Sequence, residues 1–227
     1  MNDLYSFYLQ HRNTRVMHKW EHYFEVYERY LAGIRNSNPT ILEIGVELGG
    51  SLEMWRDYFG PASRIYGIDI NPSAKRHEDI ATKVFIGDQQ DRAFLRSVLH
   101  EIGTPDVVID DGGHSANQQI TSFEELYTGL SENGIYIVED THTSLWGGRF
   151  MDRQDQQSFL QFACALTAHL MEWSGKPENF QVLGTDQNES LANVASPFCR
   201  STKAICFFDS MVVFERGRRR VPRHHRR

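Results

Sequence analysis

The sequence predicts an α/β fold: a mainly parallel sheet of seven strands, finished by a C-terminal antiparallel hairpin, with helices on both faces. Three observations predict it. Apolar runs at 40–44, 64–69, 82–86, 106–110 and 134–138 alternate with segments of helical periodicity, as βαβ units around a buried parallel sheet require. Two further apolar runs, 204–208 and 210–214, are separated by so little chain that they can pair only as an antiparallel hairpin. The first strand also runs straight into a glycine-rich turn, Glu43-Ile44-Gly45-Val46-Glu47-Leu48-Gly49-Gly50-Ser51, and an acid, Asp69, closes the second. Strand, glycine turn, helix, strand and carboxylate is how such sheets hold a nucleoside: glycines admit the backbone and the acid accepts from ribose hydroxyls.

Taken in order, residues 1–38 form a helical segment whose Trp20, Tyr23, Phe24, Tyr27 and Leu31 recur on one helical face, expected to pack on the core as a lid or against a partner subunit. His18 and Lys19 lie beside that stripe, where a solvated face is expected. The strand at 40–44 opens the main domain, 39–216, and its glycines lack the G-x-G-x-x-G spacing that sets a helix N-terminus against a pyrophosphate. The wider Glu43-x-Gly45-x-x-x-Gly49-Gly50 turn disfavours a dinucleotide and leaves a carboxylate at the strand end for a cationic group. A helix at 51–59, the strand 64–69, a helix or turn at 72–81 and the strand 82–86 follow, the last running into Asp88 and Gln89. Helices at 91–102 and 116–130 flank the strand 106–110, and a long helix at 154–171 follows the strand 134–138. The tail, 217–227, carries six arginines and no acid and is expected to be disordered.

Composition narrows the classes. The chain of 227 residues suits one domain able to bury a core without staples. Its three cysteines show no C-x-x-C spacing, which argues against a zinc site or disulfide framework and for a reducing cytoplasm. No apolar run approaches the roughly 20 residues of a membrane span, and the start lacks a signal sequence, so no membrane association is expected. The net charge of −6 becomes −12 once the six tail arginines are set aside, and such a body repels phosphate backbones, so no nucleic-acid partner is expected.

The second strong pattern is acidic. Val107-Val108-Ile109-Asp110-Asp111-Gly112-Gly113-His114 and Val138-Glu139-Asp140-Thr141-His142 each place carboxylates just past an apolar strand, where open α/β sheets bind ligands. Strand alternation sends Asp110 and Asp111 to opposite sides, so one of the two is expected in the pocket. Converging carboxylates repel one another, and a hard divalent cation, Mg²⁺ or Ca²⁺, relieves the conflict. Asp111, Glu139 and Asp140 are therefore the expected ligands, against the alternative that they merely cap the following helices. His114, three residues past Asp111, is the expected general base; His142 is as consistent with a supporting contact as with none.

The glycine turn resembles motif I of the Rossmann-like class I S-adenosylmethionine (SAM) methyltransferases, and the terminal hairpin suits them better than a classical dinucleotide fold. The chain from about 18 to 215 is similar to the metal-dependent sugar O-methyltransferases of antibiotic biosynthesis, the mycinamicin and rhamnosyl enzymes, with the related cephalosporin hydroxylase family. The similarity rests on Leu42-Glu43-Ile44-Gly45 with Gly49-Gly50-Ser51, on Ile109 to His114, and on Glu139 to Trp146. It implies SAM bound by Glu43, Gly45, Gly49, Ser51 and Asp69, with Asp110 as a further cofactor contact; in a SAM fold Asp88 and Gln89 face the adenine, against the alternative of an ordinary polar turn capping the next helix. It implies Mg²⁺ on Asp111, Glu139 and Asp140, His114 as base, and a small-molecule acceptor with vicinal oxygens handled by a cytoplasmic homo-oligomer. A hydroxylase-like metal-assisted reaction is the alternative chemistry, a non-catalytic SAM-binding accessory protein the alternative class, and NAD-dependent oxidoreduction ranks third. Only about 38 residues precede the sheet, where the macrolide enzymes carry a large domain, so acceptor identity does not transfer. The Trp146-Gly147-Gly148-Arg149 segment and residues 179–199 are the expected substrate wall.

Overall fold

The computed structural model describes residues 3–10, 15–174 and 195–220. Seven strands, β1 (Thr40–Ile44), β2 (Arg64–Asp69), β3 (Lys83–Ile86), β4 (Val107–Asp110), β5 (Ile135–Val138), β6 (Thr202–Phe208) and β7 (Met211–Arg216), form one sheet in the order β3-β2-β1-β4-β5-β7-β6. The first five are parallel and β7 runs antiparallel to β5 and β6. The chain winds outward from β1 through β2 to β3, then returns to lay β4 on the other side of β1. That reversal opens a crevice at the carboxyl ends of β1 and β4.

Period-two alternation sorts the core into two layers. Ile41, Ile65, Val84, Val107, Ile109, Ile137 and Val213 pack against α1 (Asp3–Gln10), α2 (Tyr23–Leu31) and α3 (Gly50–Phe59). Leu42, Ile44, Ile68, Val108, Tyr136, Val138 and Phe214 face α4 (Arg92–Ile102), α5 (Ala116–Leu126) and α6 (Phe159–His169). Trp55 of α3, fully buried, meets the ring of Tyr27 edge-on and joins the first layer's helices.

Helix limits follow their caps. Asp91 accepts from the amides of Ala93 and Phe94 at the start of α4, and Ser115 with Gln118 closes a reciprocal capping box on α5. The expected helix from 154 begins only at Phe159, because Ser158 caps it in a second box with Gln161. The segment at 72–79 is a 3₁₀ turn entered through Asn71 and Pro72. Trp20 departs from the expected stripe: α2 starts at Tyr23, and Trp20 stands before it, 54% exposed, while Tyr23, Phe24, Tyr27 and Leu31 are buried.

The first residues of the expected tail are bonded to the body. Gly217 and Arg219 donate backbone bonds to Ser201 and Arg200, and the Arg219 guanidinium donates to the carbonyls of Leu170 and Cys199, so the chain is held through Arg219. Residues 221–227, and most of the expected substrate wall at 179–199, lie outside the described residues.

Trp55→Ala should cost about 3–5 kcal/mol, since a large buried ring leaves a cavity its neighbours cannot fill. Urea denaturation reads the loss; a change under about 1 kcal/mol would mean that α2 and α3 do not share this core.

Candidate active site

Strand register assembles the site. Ile44 pairs with both Ile68 and Asp110, and Asp110 pairs with Val138, so these four residues form one row across the sheet. The residues one step further are Gly45, Asp69, Asp111 and Glu139, and the amides of Gly45, Asp111 and Glu139 continue the ladder at 2.8–3.0 Å. Four predicted site residues from four strands thus stand side by side, and Gly45, Asp69 and Asp111 line a crevice with a volume of ≈ 510 Å³.

On its β1–β2 side the crevice is lined by Gly45, Val46, Glu47 and Asp69. Gly45 has φ +91°, and a Cβ there would fall 2.0 Å from the Asp111 carbonyl oxygen, so glycine is required where β1 and β4 converge. Asp69 Oδ2 accepts from the amides of Val46 and Glu47 at 3.0 and 2.9 Å, and Oδ1 from Asn71 at 2.8 Å. The carboxylate holds the glycine turn and still lines the crevice, as does Asp88 at the end of β3. Glu47, His114 and Asp140 all adopt left-handed backbone, φ 47°, 58° and 51°, conformations that cluster at functional sites because folding must hold them there.

Three of the expected cofactor contacts are engaged within the protein itself. Asp110 is fully buried on the α5 side of the sheet, where its Oδ1 accepts from Gln89 Nε2 at 3.0 Å. Gln89 touches the crevice, but its amide is spent on Asp110, Ser122 and the amide of Gly113, fixing the Gly112-Gly113 loop from below. Glu43 is likewise fully buried and accepts from Ser51 Oγ at 2.8 Å. Burial pushes Asp110 up to about 7, against the Gln89 bond that favours its charge. Burial also takes Glu43 to about 7, opposed by Lys19 and Ser51.

The acid cluster contains a residue the sequence placed on a solvated face. The Lys19 side chain is only 3% exposed, and its Nζ donates to Asp111 Oδ2 at 2.5 Å and Glu139 Oε2 at 2.9 Å, with Glu43 Oε1 at 3.8 Å. Burial disfavours the ammonium, but Asp111 and Glu139 outweigh it and hold the lysine well above its ordinary pKa. The other Glu139 oxygen accepts from Tyr27 OH at 2.5 Å, and burial with the Asp111 charge raises its pKa. The sequence signal for Lys19 was its position four residues before Tyr23, where the packed aromatic stripe begins, since a stripe that packs on the sheet brings its flanking residues to the strand ends.

The metal expectation shifts accordingly. Glu139 has both oxygens engaged and does not line the crevice, whereas Asp111, His114 and Asp140 each offer a ligand atom within 4.8 Å of the others. His114 Nε2 lies 3.5 Å from Asp140 Oδ2 and 4.0 Å from Asp111 Oδ1, and Tyr23 OH donates to Asp140 Oδ1 at 2.6 Å. The donor set fits a hard cation: the buried Glu43 and Glu139 and the partly exposed Asp111 share a single ammonium, and two outward oxygens, of Asp111 and Asp140, face the crevice beside an imidazole. Outside this cluster, Trp20, His142, Trp146 and Phe150 form a chain of ring contacts, with Trp20 and Trp146 54% and 61% exposed.

Sheet order, antiparallel hairpin and a strand-end site at the β1–β4 switch define the class I methyltransferase fold. Solved structures agree: MycE methyltransferase from the mycinamycin biosynthetic pathway, in complex with Mg and SAH, superposes with a TM-score of 0.72 at 28% identity, covering 96% of this chain and 54% of that one. The relatives of the chain are sugar O-methyltransferases of macrolide and tetracenomycin pathways. The 8-demethyl-8-(2-methoxy-alpha-L-rhamnosyl)-tetracenomycin-C 3'-O-methyltransferase of Streptomyces olivaceus is 35% identical over 167 residues, 68% of this chain and 42% of the relative. Mycinamicin VI 2''-O-methyltransferase of Micromonospora griseorubida is 32% identical over 200 residues, 85% of this chain and 47% of the relative. The chain therefore spans about half the length, or less, of the curated relatives it matches. No protein-family profile matches it.

Gly45→Ala should lose about 1–3 kcal/mol to its left-handed backbone alone, and the contact with the Asp111 carbonyl should add to that. Asp110→Ala should cost about 1–3 kcal/mol by stranding the buried amide of Gln89, whereas Asp110→Asn keeps an acceptor there and should be nearly neutral. Equal losses for the two Asp110 variants in urea denaturation would show that the charge, and not the hydrogen bond, is what Gln89 requires.

Proposed function

We propose that the chain is a SAM-dependent, Mg²⁺-assisted O-methyltransferase acting on a hydroxyl of a small molecule, a sugar or glycosylated natural product with vicinal oxygens. One observation carries the reading: a single strand-end row sets a nucleoside-type glycine turn and Asp69 beside Asp111, with His114 and Asp140 a few ångströms away. The relatives, which are sugar O-methyltransferases, and the structure of MycE in complex with Mg, SAH and mycinamycin VI support it.

In this reading the Gly45–Gly50 turn admits the methionine part of SAM, Asp69 accepts from the ribose and Asp88 borders the adenine end. Each of these segments lines the crevice, whose ≈ 510 Å³ lies within the range of small-molecule pockets. Asp111 and Asp140 would hold the divalent ion, which when bound supplies Lewis-acid polarisation of a hydroxyl. His114 takes the hydroxyl proton at Nε2 as the oxygen attacks the methyl carbon and the C–S bond breaks, leaving S-adenosylhomocysteine. The imidazolium so formed faces Asp140 and Asp111, which stabilise its charge. Glu43, Ser51, Gln89 and Asp110 support the loops from beneath. The Trp20–Trp146 wall is the proposed acceptor side, and the same reading takes residues 1–38 as a covering segment of a cytoplasmic homo-oligomer that engages neither nucleic acid nor membrane. No helix among the described residues is long and apolar enough to cross a bilayer.

Thermal unfolding with SAM, S-adenosylhomocysteine and NAD, each with and without Mg²⁺, tests the cofactor, since a ligand of the native state alone must raise the midpoint. A rise with SAM and its product but not with NAD is expected; no response to either sulfur ligand would overturn the reading. His114→Ala should lower methyl transfer to an O-glycoside acceptor by about 10²–10⁴-fold with binding of S-adenosylhomocysteine intact. Unaltered turnover would remove the histidine from the mechanism.

A further inference from the structure

The segment from Arg15 to His22, between α1 and α2, crosses the mouth of the crevice as an irregular strap. Val16, Met17, His18 and Lys19 all line the crevice. The strap lies close: a Cβ on Gly50 would fall 2.4 Å from the Val16 carbonyl oxygen and 2.6 Å from Met17 Cβ. At its centre the Lys19 stem descends to the sheet, and its ammonium enters a cage of Glu43, Asp111 and Glu139, with the Tyr27 ring 6.0 Å away.

Two cations thus have claims on the same oxygens. Asp111 bonds the ammonium through Oδ2 while its Oδ1 faces His114 and the proposed ion position. Glu139, which the sequence pattern groups with the metal ligands, is filled on both oxygens, by Lys19 and Tyr27. An ion held through Asp111 Oδ1 shares that carboxylate with Lys19, and one that draws Oδ2 or Glu139 displaces the Lys19 bonds; in both cases like charges a few ångströms apart repel. Lys19 bonds the strap to the cluster, while Arg15 on Asp79 and His22 on the Asp209 carbonyl hold its two ends.

We infer that Lys19 is a displaceable resident cation of the acid cluster, competing with the divalent ion for Asp111 and Glu139, so that ion occupancy sets how tightly the Arg15–His22 strap is held over the crevice. Lys19 is a positioning residue. Without the ion it neutralises part of the cluster and keeps the strap down; with the ion bound it yields its carboxylates and the strap loosens. The inference rests on the proposed metal site.

The test needs no turnover. Mn²⁺ titrated into the purified chain without methyl donor, with free Mn²⁺ followed by its EPR signal, should show Lys19→Met binding the ion at least tenfold more tightly than the parent, and Lys19→Arg close to the parent. A merely structural lysine predicts the opposite for Lys19→Met, because a disordered cluster binds the ion more weakly. Equal or weaker binding by Lys19→Met, or no Mn²⁺ binding by either protein, overturns the inference. Should Lys19→Met fail to fold, amide hydrogen exchange of the parent decides: exchange within 15–22 should rise at least threefold on adding Mn²⁺, and unchanged exchange overturns the competition. S-adenosylhomocysteine binding, measured in parallel, separates the two readings. Its presence without Mn²⁺ competition sinks this inference alone, and its absence sinks the methyltransferase proposal whatever Lys19 does.

Discussion

Strand alternation at the Asp110–Asp111 step is the constraint on which the site depends. Two adjacent carboxylates leave β4 on opposite faces of the sheet. Asp110 goes under α5, into a closed network with Gln89 and Ser122, and Asp111 goes to the crevice, to Lys19 and His114. Neither aspartate could take the other's place without a one-residue slip of β4, which the Ile44 and Val138 pairings and the two apolar layers forbid. The same rule turns Glu43 and Glu139 toward α2 and α3, where Tyr27, Ser51 and Lys19 receive them.

This sorting separates two kinds of buried acid. Asp110 and Glu43 have little or no access to ligand, and their burial raises both to about 7, so their worth lies in the hydrogen bonds they accept. Asp111 and Asp140 keep an oxygen toward the crevice, beside a histidine held in left-handed backbone by the glycines before it and the α5 cap after it. In the absence of Lys19, the carboxylates of Glu43, Asp111 and Glu139 would face one another with no ammonium among them. The Lys19 ammonium relieves their repulsion and occupies oxygens that the divalent ion would also claim.

The N-terminal residues matter to the site in a way their composition conceals. Tyr23 and Tyr27 supply the aromatic bodies of a packed helix, and their hydroxyls reach Asp140 and Glu139. The hydrophobic stripe and the polar shell of the acid cluster are therefore the same residues, seen from opposite ends of the ring. Trp20, displaced from that stripe, is free to join His142 and Trp146 at the rim.

Local sequence determined a great deal: the α/β class, the seven strands and terminal hairpin, and the segments that meet at the crevice, because periodicity, glycine turns and strand-end acids are written within a dozen residues of one another. It also indicated that only one of Asp110 and Asp111 would face the pocket, since alternation is a property of the strand itself. Tertiary structure alone decided which one, because that depends on which helix covers which face. It decided that Gln89 and Glu43 serve the protein before any ligand, and that Lys19, 92 residues from Asp111 in the chain, fills the space among the acids. It also pinned Arg219 to carbonyls of Leu170 and Cys199, which no reading of an arginine-rich tail would anticipate. The physical reason is common to these cases: burial and charge pairing between distant segments are set by where the folded chain closes on itself, and a local pattern carries no record of that distance.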